Sequence, residues 1–471
     1  MLNNNPLSRR ELLRASALGF GNLALLSILA EQALAEQVKF DPRNPLAPRP
    51  PQYPARAKRV IFVFLHGGPS QVDTFDPKPL LTRDHGKPFP GEMPRIVSSP
   101  TGNLLKSPWE FKHYGESGIE VSDLFPHVGS CVDDLCFINS MHGSNSRHGA
   151  ALLELHTGSD TFVRPSMGSW VTYGLGTENQ NLPGFITICP TLSHGGVNNW
   201  SSAFLPAFTQ GTPIGNSVID APNAKIPFIQ NFETPQEVQQ LELELLKGMS
   251  REQLAHLGVD PVLEGRINSF ELAFRMQLAA PELQEIKDET EETRKLYGLD
   301  DPKTRNFGHQ CLLARRFSEK GVRFVQVTHS YKWDQHEALR KDHASNAMEV
   351  DKPIAGLIKD LKSRGMLKDT LVIISGEFGR TPVAQGNDGR DHNPHGFTTI
   401  LAGGGVKAGI KYGATDDYGF FAVKDKVHIH DLHATMLHLL GIDHTKLTYF
   451  HGGRNYRLTD VHGNIVHDIL A

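Results

Sequence analysis

Short, wholly apolar runs recur along the chain, each broken by glycine or by a polar cluster. The first is Arg59-Val60-Ile61-Phe62-Val63-Phe64-Leu65, which stops at His66-Gly67-Gly68. Similar runs lie at Val322–Thr328, Leu371–Ser375 and Thr398–Ala402. Runs this short, rich in β-branched and aromatic residues and without polar alternation, predict strands buried on both faces. Between them the period changes. Ile354, Leu357, Ile358 and Leu361 recur at helical spacing within Val350–Leu367, and Arg364-Gly365 supplies a stop. Strand–helix–strand alternation predicts an α/β fold, a mainly parallel sheet with helices on both faces.

Two stretches depart from that alternation. From Pro235 to Tyr297, glutamate, glutamine, leucine and lysine dominate, which predicts a helical insertion over about 235–297. Charge runs within it, such as Asp288-Glu289-Thr290-Glu291-Glu292, read as a solvated face. Near the C-terminus, Leu432, Met436, Leu437 and Leu440 make one apolar helix face, with Asp431 as its expected N-cap. Gly452-Gly453-Arg454, with strands expected at Arg457–Asp460 and Asn464–His467, predicts a short terminal hairpin.

The N-terminus reads as an address. Ser8-Arg9-Arg10-Glu11-Leu12 precedes an apolar run from Ala15 to Ala30, and Ala33-Leu34-Ala35 offers a cleavage site. Residues 1–35 are thus expected to be a twin-arginine signal peptide, with export to the periplasm or beyond. An uncleaved anchor is the bland alternative. A proline-rich leader over 36–58 follows, and residues 59–471 form the main domain, which carries no apolar segment long enough to span a membrane.

Composition narrows the function. The 471 residues carry 48 basic and 52 acidic side chains, a net charge of −4, which argues against nucleic acid as the partner. Four cysteines, Cys131, Cys136, Cys189 and Cys311, show no paired zinc-thiolate spacing. Cys131 and Cys136 could bridge after export, or all four could be buried thiols. Histidine is abundant at 23 residues, eight of them between His428 and His467. Abundance alone proves nothing, because most histidines are hydrogen-bonded structural residues; position must decide.

In parallel sheets functional groups gather past the carboxyl ends of strands. Four polar clusters sit there: His66 to Asp73, His329 to His336, Gly376-Glu377-Phe378-Gly379-Arg380-Thr381, and Arg390-Asp391-His392-Asn393-Pro394-His395. In an extended loop Asp334 and His336, two apart, point the same way and can converge on one ion. Mixed oxygen and nitrogen donors suit zinc, manganese or iron better than calcium or magnesium. Arg380 could pair with Glu377 or hold an anionic substrate.

The order of H-G-G-P-S-Q after the first strand, W-D-Q-H, G-E-F-G-R-T-P, G-R-D-H-N-P-H-G-F and L-A-G-G-G resembles a family of exported bacterial proteins. That family is a sulfatase-like group of unknown function within the alkaline phosphatase superfamily, and the resemblance runs from about Arg59 to Ala471. The resemblance implies a metal-dependent hydrolase of a phosphate or sulfate ester, holding one or two divalent ions. Its substrate would be an anionic small molecule or polysaccharide ester. It implies metal roles for Asp334, His336, Glu377 and His392, with His66 in place of the first-strand aspartate and Asp73 as a substitute. Ser144 to Gly158 is similar to the sulfatase stretch C-x-P-S-R-A-A-L-L-T-G, which places His148 where sulfatases keep their modified cysteine. His148 is then a ligand or general base, or merely a helix cap. Ser146 or Ser144 is a candidate nucleophile, and Arg380 or Arg147 a holder of the anionic group. A non-catalytic relative acting as a binding or surface-associated module is the alternative, favoured by Phe378 where the superfamily keeps a histidine.

Overall fold

The computed structural model describes residues 44–94, 101–227, 229–231, 233–257 and 261–471. The signal-peptide reading over 1–35 and the first part of the leader lie outside the described residues. The apolar runs form the strands they predict. β1 is Arg59–Leu65, β2 Leu135–His142, β3 Phe185–Ile188, β4 Thr212–Ile214, β5 Phe324–His329 and β6 Thr370–Ser375. Beyond these come β7 Gly379–Ala384, β8 Arg390–Asn393, β9 Phe397–Ala402, β10 Ile410–Tyr412 and β11 Val427–His428.

Nine of these strands make one sheet in the order β10-β2-β9-β6-β1-β5-β3-β4, with β11 paired to β2. β1 lies between β5 and β6, parallel to both, with Val63 opposite Val327 and Ile374. Its residues Val60 to Leu65 are all buried, as expected for a strand covered on both faces. β9 is the exception, running antiparallel to β6 and to β2. The sheet is therefore mainly parallel. β7 and β8 form a separate antiparallel pair.

Helices cover the sheet. α1 is His148–Thr157, α2 Met167–Leu175, α3 Gln236–Leu257, α4 Pro261–Gln284, α5 Arg305–Glu319, α6 Leu339–Ser363 and α7 Ile429–Leu439. α3 and α4 occupy the expected helical insertion. α6 starts eleven positions before the expected Val350, because its first turns are polar outside and only Leu339, His343, Asn346 and Ala347 turn inward. Asp431 is not the N-cap of α7. It is the third helical residue and accepts the His428 amide hydrogen at 2.8 Å, while the His428 ring accepts from the His430 amide, a reciprocal cap. The terminal hairpin is also shifted: its strands are Tyr449–His451 and Arg454–Tyr456, turning at Gly452-Gly453, because both glycines take positive φ there. All four cysteines are buried and free. Among the described residues no helix is long and apolar enough to cross a membrane.

The direction of the strands brings their polar sequels to one edge. His66 follows β1, Glu377 follows β6, Tyr331 to His336 follow β5, and the loop from β2 enters α1 at His148. β9, running the other way, is entered from that same edge, so the preceding β8 carries His392 there.

Candidate metal centre

At this edge the Asp334 carboxylate meets three imidazoles. Its Oδ1 lies 2.8 Å from His336 Nε2, 3.1 Å from His392 Nε2 and 3.2 Å from His148 Nε2. His336 Nε2 and His392 Nε2 are themselves 3.0 Å apart. Four ligands in a tetrahedron with metal bonds of about 2.0–2.2 Å would stand roughly 3.3 Å from one another. The spacing is that of a single-ion site.

The far side of each ring fixes its tautomer. His148 Nδ1 donates to Glu377 Oε1 at 2.6 Å, His392 Nδ1 to the Ser146 carbonyl at 2.7 Å, and His336 Nδ1 to Gln385 Oε1. A carboxylate and carbonyls can only accept, so the ring hydrogens sit on Nδ1 and neutral rings turn bare Nε2 lone pairs inward. His148 Nε2 is buried, and Asp334 Oδ1 at 3.2 Å is its polar neighbour. With the rings neutral, three Nε2 acceptors and a carboxylate oxygen converge, a donor set that fits a cation; without one, a proton on the imidazoles takes its place.

The electrostatics agree. Burial works against the Asp334 charge, but His148, His336, His392 and Arg380 hold its carboxyl well below the usual range. Glu377 is buried too, yet its bond from His148 and the nearby imidazoles bring it down to about 2. Burial lowers His148, but hydrogen bonds to Asp334 and Glu377 outweigh it and lift the ring to about 9. In the metal-free chain the positive charge between Asp334 and Glu377 is therefore a proton on His148, which a bound cation would displace.

Other expected site residues take different places. Glu377 stands outside the four converging residues; it accepts the Gly67 amide hydrogen at 3.1 Å on each oxygen and orients His148. Arg380 pairs with Asp334 at 2.6 Å rather than with Glu377. It also donates to the carbonyls of Gly67, Gly68, Trp333 and Arg390, and it is 1% exposed, so it clamps loops from a position buried away from an incoming substrate. Asp73 stands apart from the cluster. Its two oxygens receive Arg390 at 2.6 and 3.1 Å, and both side chains are fully buried, so a structural ion pair takes the charge that a metal would have used. Ser146 contributes its carbonyl to His392. His395 packs at a tilt against Phe421.

His66 lies beside the four-residue cluster. Its Nδ1 accepts the Tyr331 amide hydrogen at 3.2 Å, which leaves the ring hydrogen on Nε2, facing His194 Nδ1 at 3.3 Å. Burial lowers it to about 4. His194 and Tyr331 are residues the sequence reading missed. The His194 ring stacks on His148 with centroids 4.9 Å apart, and the Tyr331 hydroxyl donates to Asp334 Oδ2 at 3.0 Å. Both have positive φ, 50° and 28°, unusual for non-glycine residues and typical of strained functional loops. His194 follows β3 in Ser193-His194-Gly195-Gly196, so the strand-end rule would have found it had Phe185–Ile188 been read as a strand.

Fold and donor set together define an α/β protein with a candidate metal-binding cluster at the carboxyl edge of its sheet. Residues 57–470 match the family described as "Protein of unknown function (DUF1501)", and the chain belongs to that family. No curated protein sequence matches it. Among solved structures it is similar to a protein in the alkaline phosphatase superfamily from Vibrio parahaemolyticus, at 10% identity and TM-score 0.36, over 90% of this chain and 76% of that one. It is also similar to the PsFucS1 sulfatase from Pseudoalteromonas sp., at 12% identity and TM-score 0.35, over 82% and 68%. A third is the alkaline phosphatase of the Antarctic bacterium TAB5, at 10% identity and TM-score 0.33, over 82% and 98%.

Proposed function

We propose that the protein is an exported, metal-dependent hydrolase of a phosphate or sulfate ester, with His148, Asp334, His336 and His392 holding one divalent ion. The observation that carries this reading is the convergence of three Nε2 atoms on Asp334 Oδ1, each ring locked from behind. Nitrogen and oxygen donors of this mixture suit zinc, manganese or iron. The ion would supply Lewis acidity toward the ester and toward water.

The chain's own residues then divide the remaining work. Glu377 and the Ser146 carbonyl orient two of the rings. The Tyr331 hydroxyl, on a half-exposed side chain, holds the second Asp334 oxygen and faces the approach to the site. His194, hydrogen-bonded to His66 and stacked on His148, is placed to exchange a proton with a leaving group. Arg147 is exposed immediately before α1, whose N-terminal dipole also favours an anion. The anionic ester, a small molecule or a polysaccharide substituent, would approach from that side. The Ser8–Ala35 stretch supports export, which Arg9→Lys with Arg10→Lys should abolish, leaving the chain in the cytoplasm.

The test is turnover of aryl phosphates, phosphodiesters and aryl sulfates by protein loaded with zinc, manganese or iron. Hydrolysis lost in Asp334→Asn supports the reading; hydrolysis unchanged in that variant overturns it. One observation favours a second reading, a metal-containing binding module: Arg380, the guanidinium in contact with the cluster, is buried and bonded to backbone carbonyls and Asp334. An ion bound without turnover of any of the three ester classes would decide for that reading.

A further inference from the structure

The dense C-terminal histidines are unused by the site above, and several line a second pocket. It measures about 510 Å³ and is walled by His142, Ser144, His428, His430, Asp431 and His462, among others. Glu154, on α1, is 2% exposed and reaches the same place from beneath. Its oxygens accept the Ser144 amide hydrogen at 2.8 Å and the Ser144 hydroxyl at 2.6 Å. His428 Nε2 lies 3.2 Å from Ser144 Oγ and 3.5 Å from Glu154 Oε1. His430 is 7% exposed, and its Nδ1 is buried with no hydrogen-bond partner. The rings of His428 and His430 stack with centroids 5.0 Å apart, and His462 stacks on the other face of His430 at 5.1 Å.

We propose that Glu154, His428 and His430 form a second metal site, separate from the Asp334 centre, that takes a divalent transition ion of zinc's type. One donor atom from each lies within 4.8 Å of the others. Two imidazoles and one carboxylate are a zinc donor set with a coordination position left over, here facing the pocket. An orphaned, buried imidazole nitrogen is costly in itself, and a bound ion removes that cost. Burial and the neighbouring imidazoles of His433, His428 and His462 hold His430 down to about 3, in the neutral form that binds metal. His428 accepts the His430 amide hydrogen through Nδ1 at 3.2 Å, so its ring hydrogen lies on Nε2. Ligation through Nε2 moves that hydrogen to Nδ1 and gives up the amide bond, with no net loss of a proton from the ring.

The experiment counts zinc bound per full-length chain after equilibration with Zn²⁺ and removal of loose metal on a chelating resin. The wild type should hold two ions. His430→Gln and, independently, Glu154→Gln should hold one, and so should the double variant Asp334→Asn/His336→Gln. Gln at 154 keeps the side chain's size and an acceptor for the Ser144 amide, so it serves if the His430 variant fails to fold. In the Asp334→Asn/His336→Gln background, zinc should still raise the Tm, and adding Glu154→Gln should remove that rise. Two ions retained by both triad variants, or a single wild-type ion that only the Asp334 variant loses, would overturn the second site while leaving the first intact.

Discussion

Asp73 separates a structural account of this edge from a second metal ligand there. Asp73 and Arg390 are both fully buried, with charge-assisted bonds of 2.6 and 3.1 Å between them. Arg390 also donates to the carbonyls of Thr381 and Leu105, so it cannot swing to water when its partner goes. Removing one member of such a pair leaves an uncompensated buried charge and costs about 3–5 kcal/mol. Asp73→Asn keeps an acceptor for one guanidinium hydrogen or for Ser70, which donates at 2.6 Å. The loss should therefore fall near the lower end, about 3 kcal/mol. Urea unfolding followed by tryptophan fluorescence, with and without zinc, measures it as a lower midpoint at unchanged slope. The number of ions bound at the Asp334 centre should not change. If Asp73→Asn loses an ion while its midpoint stays put, the reasoning is refuted and Asp73 is a ligand.

Three further outcomes follow from the same geometry. Glu377→Gln removes the charge behind His148, so the His148 ring should titrate well below about 9 in NMR spectra of the metal-free chain, and metal affinity should fall roughly 10–100-fold by calorimetry. In the metal-free chain His148 titrates above its unfolded value of about 6.5, so its stabilising contribution is complete below that pH and is lost as pH rises through about 9. Tm measured in EDTA from pH 6 to pH 10 should show that decline, and His148→Gln should flatten it. Gly67→Ala should lower the Tm and weaken metal binding together, because φ is +117° and a Cβ would stand 2.7 Å from the Asp334 amide nitrogen, costing about 1–3 kcal/mol from strain alone.

Much of the fold was legible because buried parallel strands write themselves as unbroken apolar runs. Arg59–Leu65 was readable to the residue, whereas Phe185–Ile188 is four residues long and offers no such run. That omission hid His194. The antiparallel course of β9 was also invisible, since an apolar strand looks the same in either direction. At the site, Asp334, His336 and His392 were legible from their positions beside strands and His148 from the likeness of Ser144 to Gly158 to a sulfatase stretch, and the fold brings the four together. The roles of Arg380 and Asp73 were not, because each is decided by partners far away in sequence: Arg380 by the Gly67 and Gly68 carbonyls, Asp73 by Arg390. The C-terminal histidines that looked like helix packing divide in the structure. His433 Nε2 donates to the Leu155 carbonyl in the core at 2.8 Å, while His428 and His430 turn to a pocket.

The central claim is that His148, Asp334, His336 and His392 hold one divalent ion. Anomalous scattering at the zinc, iron and manganese edges, from crystals of protein folded in metal-replete cells, tests it most directly. The account predicts a peak about 2.0–2.2 Å from Asp334 Oδ1 and from the Nε2 atoms of the three histidines. Clear density for the four side chains with no anomalous peak between them would contradict it.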